Sequence, residues 1–370
     1  MSDFKIRAEA RDITPADRER MHVVARQGPA LQEAAIAALE TRVAAVLGRR
    51  HALAFAHAAC GLEGLLKAYG IGPGDEVIVS AYSWYEIARS IWQVGATPVF
   101  ADIDYWSGTL NPEKAAARIG PATRAILAAN TNGHPADWEA LRAVAGRHGL
   151  VLIEDSTEAL GCAYDHTPVG RFGDASLFDF RARGPVACGA GGLVVTDDTR
   201  LAESLRQGPA GGPHADSMSA LTAVLLQAQW GRLDATLAAR ARVSALYARF
   251  IRSFEGIKDP YTGPRVTTHH PFTFLVHLGA RFSRQARDAI VDDLRADGIE
   301  ARPYATPLYR DMYCRQKGFS GAGCGITDKI ADRGIALPFH AGLGEEDIAL
   351  IVETLKDASI NVGAGSAIYL

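Results

Sequence analysis

The sequence predicts an α/β fold built on a mostly parallel sheet, and three observations carry that expectation. From about residue 50 to residue 200, apolar runs of strand length alternate with amphipathic stretches of helix length. The apolar runs are continuous rather than alternating, as in "EVIVS" and "LVLIED", which suits strands covered on both faces. Beyond residue 198 the spacing turns helical, and a smaller mixed segment follows.

Taken in order, "HALAFA" is a strand leading into the helix "CGLEGLLKAYG", and "DEVIVS" is a strand leading into "YEIARSIWQVG". The strand "ATPVFADID" precedes the helical "NPEKAAARIG"; "TRAILAAN" precedes "ADWEALRAVAGRHG", and "LVLIED" closes the alternation. Ligands of such sheets sit at the carboxyl ends of the strands, so the residues just after each run are the candidates. The stretch "LTAVLLQAQWGRLDATLAARARVSALYARF" keeps three- and four-residue apolar spacing over about eight turns, as a helix pair bridging two domains would. "HPFTFLVHL", "RQARDAIVDDLRADGI" and "EEDIALIVETLKDA" then make a small α+β domain. The expected division is a large domain over 1–245 and a small C-terminal domain over 246–370. The tail "NVGAGSAIYL" is expected to fray.

Composition excludes several classes. The 370 residues are 48% hydrophobic and 22% charged, as in an ordinary globular protein able to bury a substantial core. A net charge of −3 with no Lys/Arg run gives no nucleic-acid surface. No apolar stretch approaches the roughly 20 residues that cross a bilayer, and the polar N-terminus is unlike a signal peptide, so a cytoplasmic protein is the simplest expectation. The five cysteines are odd in number and widely spaced, and His269-His270 is the one histidine pair, so neither a disulfide framework nor a metal site is expected.

The segment "FDFRARGPVACGAGG" at 178–192 is the most informative: a short alternating strand, a loop with two arginines and a proline, and a glycine cluster. Its frame gains meaning from six landmarks elsewhere. "GIGPGDEVIVSAYSW" at 70–84, "GATPVFADID" at 95–104, "VLIEDSTEALG" at 151–161, "VGRFGDASLFDF" at 169–180, "RPYATPLY" at 302–309 and "ALPFHAGLGEEDI" at 336–348 stand in one order and spacing. In that order the chain resembles, over nearly its whole length, the sugar aminotransferases of the DegT/DnrJ/EryC1/StrS family. The resemblance implies a fold-type-I pyridoxal-phosphate aminotransferase architecture, a homodimer with its site at the subunit interface, and transamination at a keto-sugar carbon.

Four departures from the family pattern follow from the same alignment. The resemblance implies a Schiff-base lysine five residues before a G-E-G-G segment. Here that segment is Gly189, Ala190, Gly191, Gly192, the lysine slot holds Gly184, and no lysine stands between Lys114 and Lys258. Lys67, on a helix expected to pack on the sheet, is a poor substitute. Without an amine nucleophile the covalent attachment cannot form. The family's phosphate-contacting serine is Asp179 here, a repulsion of several kcal/mol against a phosphate dianion. The family's S-G-T at a helix N-terminus reads His57, Ala58, Ala59, and its N-x-R motif aligns with Ala215 and Ser217. The ring contacts persist: Asp155 matches the carboxylate that pairs with the pyridine nitrogen, Glu158 the polar residue one turn on, and Trp84 the stacking aromatic.

Each candidate residue has a functional and a bland reading. Asp155 with Glu158 is either an acid–base pair or, for Asp155, an inherited helix cap. His57 is a general base, an anion ligand or a satisfied loop histidine. Arg181 and Arg183 either clamp a phosphate or carboxylate or neutralise Asp179 by an internal ion pair. Cys188 is a candidate thiol nucleophile with no histidine near it in sequence. Glu86 and Tyr304 are substrate contacts by position, with helix solvation the alternative for Glu86.

The resulting expectation is a repurposed enzyme. Its cleft, lined by His57, Asp155, Glu158, Asp179, Arg181 and Arg183, performs acid–base chemistry without an external cofactor. Its substrate would be a sugar-, cyclitol- or nucleoside-like metabolite of a specialised, antibiotic-type pathway. Two alternatives stand beside it. One is a non-catalytic subunit paired with a lysine-bearing homologue. The other is a lysine-less, dehydratase-like enzyme that holds pyridoxamine phosphate noncovalently.

Overall fold

The computed structural model describes residues 4–9, 13–181, 184–207, 216–251, 261–362 and 368–369. The sheet strands run in chain order as β1 (His51–Phe55), β2 (Glu76–Ser80), β3 (Thr97–Ala101), β4 (Thr123–Ala129) and β5 (Val151–Asp155). Two short strands, β6 (Ala163–Tyr164) and β7 (Thr167–Pro168), precede β8 (Ala175–Asp179) and β9 (Gly192–Thr196). The main sheet has the order β1-β9-β8-β5-β4-β2-β3. Neighbours from β8 through β3 pair in parallel, while β9 is antiparallel to both β8 and β1. The mostly parallel sheet expected from the continuous apolar runs is therefore present, with one reversed strand that those runs did not signal.

Both faces of this sheet are covered. On one, Leu62, Leu65 and Leu66 of the helix Ala58–Ala68 pack with Val77, Val79, Leu127 and Leu177. On the other, Ile78, Ile126 and Leu152 pack against Trp138, Leu141 and Val144 of the helix Trp138–His148. Alternate residues of one strand thus enter different cores, as the two-residue period of a strand requires.

Beyond the main sheet, β10 (Val266–Thr268) pairs with β6, and β11 (Phe274–Leu278), β12 (Arg302–Pro303), β13 (Gly334–Leu337) and β14 (Ile368–Tyr369) form a four-stranded sheet. The long helical stretch divides at Gly231-Arg232 into Ala220–Trp230 and Leu233–Ile251. Leu233 and Leu237 of the second helix lie in a core shared with Phe178 and Val195, whereas Val243, Tyr247 and Ile251 lie with Phe274, Val276 and Ile335. One helix thus has an end in each core. Among the described residues no helix is long and apolar enough to cross a membrane.

The loop after β8 hangs at the carboxyl end of the sheet and is tied at its base. Phe180 N–H donates to the Gly191 carbonyl, Cys188 N–H to the Phe180 carbonyl, and Gly191 N–H to the Ala56 carbonyl. Gly192 passes so close to the helix start that a β-carbon there would sit 2.3 Å from the Ala58 nitrogen. No side chain fits at Gly192, while Gly189 and Gly191 take φ of 75° and 108°, a backbone that favours glycine.

Candidate active site

Strand ends β2, β4, β5 and β8 deliver their following residues to one cleft, which has two lobes separated at Trp84 and Asp155. One lobe, of about 270 Å³, is lined by Ala58, Ala59, Glu86, Thr157, Asp179, Arg181 and Phe272 among others. The second, of about 220 Å³, is lined by Tyr82, Ser83, Glu158, Tyr304 and their neighbours. Trp84 and Asp155 border both.

Asp155 is the last residue of β5 and is 5% exposed. Its Oδ1 accepts from the Thr157 N–H at 3.0 Å. Burial pushes its pKa up to about 6 against the lowering effect of the Thr157 hydrogen bonds, with Asp179 and Glu154 adding smaller upward pushes. Glu158 sits in the short 3-10 turn Thr157–Ala159, where its Oε2 accepts from the Asn132 N–H at 2.7 Å and from the Tyr304 hydroxyl. Burial raises it to about 7, again against those donors. The expected Asp155–Glu158 pair is therefore brought to one cleft, with both carboxyls shifted towards neutrality.

Asn132 holds Glu158 through a specific turn. Its φ is 48°, in the left-handed region, and its Oδ1 accepts from the Thr273 N–H at 2.9 Å. Gly133 follows at φ 83°, where a β-carbon would lie 2.2 Å from the His270 carbonyl oxygen. An Asn-Gly dipeptide is the sequence signal for such a turn, although nothing in the sequence connected it with Glu158.

At the far end of the larger lobe, Arg181 joins two carboxylates. Its Nε donates to Asp179 Oδ2 at 2.8 Å and its Nη1 to Glu86 Oε1 at 2.8 Å. The internal ion pair with Asp179 is thus the arrangement adopted, and Glu86 completes it instead of solvating the helix Tyr85–Gln93. Arg183, the other half of the expected clamp, lies outside the described residues.

The remaining candidates divide. Trp84, at the N-cap of Tyr85–Gln93, meets Phe272 edge to face at 6.5 Å between ring centroids. Gly184 has φ 96°, and a β-carbon on it would meet Phe272 Cε2 at 2.5 Å. His57 occupies the N-cap of Ala58–Ala68 without a side-chain cap hydrogen bond, is exposed and lines neither lobe. Burial pushes the Cys188 thiol up to about 12, so it is no thiolate nucleophile near neutrality. Ser217 bridges to the backbone of Phe55, and Ala215 lies outside the described residues. Sequence reasoning missed Tyr82, Ser83, Thr157, Asn132 and Phe272. Thr157 and Ser83 were within reach, since each lies within three residues of a strand end and sits beside a named candidate.

Comparison with known proteins places this geometry. The model of the DegT/DnrJ/EryC1/StrS aminotransferase family matches residues 11–356. The GDP-perosamine synthase of Caulobacter vibrioides is 34% identical over 344 residues, covering 88% of this chain and 90% of that one. The solved structure of DesI in the presence of its TDP-sugar product is 28% identical with a TM-score of 0.86, over 98% of this chain and 95% of that chain. A Streptococcus pneumoniae protein solved in PMP and PLP forms shares the fold at 22% identity and a TM-score of 0.86, covering 95% of this chain and 96% to 97% of its own.

These findings correct one expectation. A cleft working with no cofactor does not accord with a family of aminotransferases, nor with a shared fold captured with pyridoxal phosphate and its amine form in place. Asp155 and Trp84, which the resemblance matches to ring contacts, both line the larger lobe, as does Asp179. The chain belongs to the DegT/DnrJ/EryC1/StrS aminotransferase family.

Proposed function

We propose that the protein is a sugar-modifying enzyme of this family that holds pyridoxamine phosphate without a covalent bond. The observation that carries the reading is the contrast within one lobe between an intact ring floor and a closed anchor slot. Asp155 is a buried carboxylate suited to a protonated ring nitrogen, and Trp84 supplies an aromatic wall. The opposite end offers the first-turn N–H groups of Ala58 and Ala59, which have no partner within their helix, and the Arg181 guanidinium, which Asp179 and Glu86 already pair. Beside Gly184, Phe272 fills the space a longer side chain would need, and among the described residues no lysine lines either lobe. The amine-bearing form is the one proposed because it requires no amine from the protein.

When bound, the group supplies an electron sink for carbanions at the substrate. The chain's own residues supply the rest. Asp155 keeps a negative charge against the ring nitrogen. Glu158, poised near neutral pH and held through Oε2 by the Asn132 N–H and the Tyr304 hydroxyl, would accept or return a proton at its carboxyl group, the role a lysine amine would otherwise fill. Trp84 and Phe272 exclude water from the lobe. A sugar substrate follows from what the relatives' names say they make or bind. A homodimer and a division near residue 245 belong to the same reading.

The test is retention. Protein incubated with pyridoxamine phosphate and gel-filtered should elute with about one equivalent of its near-ultraviolet absorbance, and borohydride should add no mass to the chain. Asp155→Asn should release the group. Complete loss of the group from the wild-type protein on gel filtration would overturn the reading.

A further inference from the structure

A buried arginine outside the cleft has no part in the reading above. Arg240 stands on the helix Leu233–Ile251 between Leu237, which lies in the core with Phe178, and Val243, which lies in the core with Phe274. It is 5% exposed. Its Nη1 donates to the Phe339 carbonyl at 2.9 Å, and its Nη2 donates to the carbonyls of Pro271 at 3.1 Å and Phe272 at 2.6 Å. The guanidinium also lies 4.3 Å from the centre of the Phe339 ring. The two phenylalanine carbonyls have a common origin. β11 and β13 run antiparallel with Phe274 opposite Leu337, and extending that register by two residues brings Phe272 opposite Phe339. The strand pairing stops short of them, and the planar fork takes the carbonyls that it leaves.

What the fork holds is a wall of the larger lobe. Phe272 lines that lobe, meets Trp84 edge to face and fills the space beside Gly184. The side that carries Gly184 is held from the preceding helix. Gln229, 6% exposed near the end of Ala220–Trp230, accepts from the Ala187 N–H at 2.8 Å and donates to the Ala187 carbonyl at 3.1 Å. One amide side chain thereby pairs both backbone groups of a residue three positions beyond Gly184, in a stretch with neither helix nor strand. Backbone groups in such irregular chain need partners, and the side chains that supply them fix where the segment runs. The two sides of the Gly184 slot are thus gripped from two consecutive helices, each grip made on the main chain.

We infer that Arg240 and Gln229 are positioning residues for the larger lobe, holding the Phe272 ring and the Gly184 segment against each other and so setting the width of the lobe beside Trp84. Neither residue lines a lobe, so neither meets what enters it. The inference rests on the pyridoxamine phosphate reading for the ligand that feels this width, and on the contacts alone for the place of the ring. Lysine is a poor replacement for Arg240, because a single ammonium has no planar fork to span carbonyls from two segments.

The test follows the ring directly. The full chain is labelled with fluorotryptophan, and the fluorine NMR signal of Trp84 is assigned by its loss in Trp84→Phe. Phe272→Ala should move that signal, and Arg240→Lys should move it too. Trp138, stacked on Phe172 in a different core, should keep its wild-type signal and so report that the variants are folded. In the Phe272→Ala background Arg240→Lys should add no further shift, since the ring that it positions is gone. Binding of pyridoxamine phosphate, measured by equilibrium dialysis on the same proteins, should weaken by about three- to tenfold on Arg240→Lys, the scale of one hydrogen bond, and by less than about twofold where Phe272 is already alanine. Gln229→Met removes both contacts to Ala187 at nearly constant volume; it should give the same pattern, and it decides the inference if Arg240→Lys does not fold. A Trp84 signal unmoved by the folded variants, or moved equally with and without Phe272, would overturn the inference. Wild-type protein that binds no pyridoxamine phosphate strikes the cofactor reading instead, and the fluorine signals still decide this one.

Discussion

Phe272 closes the space beside Gly184, its Cε2 lying 2.5 Å from where a β-carbon on that glycine would stand. With φ at 96°, Gly184 also has a backbone that a side chain resists. Gly184→Lys should therefore destabilise the fold by roughly 2–4 kcal/mol in a denaturant titration, from strain and overpacking together. Combining it with Phe272→Ala should recover part of that loss. Only the double variant should take up pyridoxal phosphate covalently, read as a mass increase after borohydride.

Asp179 faces the end of the lobe where an anion would sit, and its side chain is 15% exposed. Asp179→Ser removes that charge and frees one side of Arg181. Retention of pyridoxamine phosphate should tighten by about tenfold or more, since a unit charge at short range in a half-dry site is worth well over 1 kcal/mol. Equilibrium dialysis of the two proteins checks this, and equal affinity would show that the phosphate end does not reach Asp179.

Glu158 makes stability depend on pH in a definite direction. Its pKa is raised from 4.5 to about 7 in the folded chain, so between those values the folded state keeps a proton that the unfolded state has released. Stability from this group is present below about pH 4.5 and is lost as pH rises through 7, a change on the order of 3 kcal/mol. Glu158→Gln should flatten that part of the curve. Tyr304→Phe removes a donor that lowers the pKa, so the midpoint should move to higher pH.

Asn132 combines left-handed backbone with two hydrogen bonds, to Glu158 and from Thr273. Asn132→Ala keeps the strain and loses the amide, for an expected cost of about 1–3 kcal/mol. Asn132→Gly relieves the strain but not the lost contact with Thr273, and should fall between Ala and wild type. Both are read from thermal melts.

Much of the architecture was legible because strands buried on both faces must be apolar throughout, and "EVIVS", "AILAA" and "LVLIED" satisfy that without help from distant residues. The ion pair of Arg181 with Asp179 was likewise within reach, since two residues of spacing at a strand end put the groups together. What escaped were contacts across long separations. Arg181 and Glu86 are 95 residues apart, and Tyr304 and Glu158 are 146 apart; no local pattern marks either pair. His57 was legible only as a position: its place at the helix start follows from the alignment, and the alignment does not carry which cleft residues its side chain joins.

The one reversed strand in the main sheet has a consequence for how this chemistry can diverge. Because β9 returns antiparallel beside β8, the segment joining them leaves and rejoins the sheet at one place, held by the backbone hydrogen bonds of Phe180, Cys188 and Gly191, while Phe180 and Val186 are buried in the core with Phe178 and Val195. None of the β8–β9 partner pairs falls within that joining segment. The tether position at Gly184 can then change without shifting the β8–β9 register, at a cost confined to its own backbone strain and its packing against Phe272.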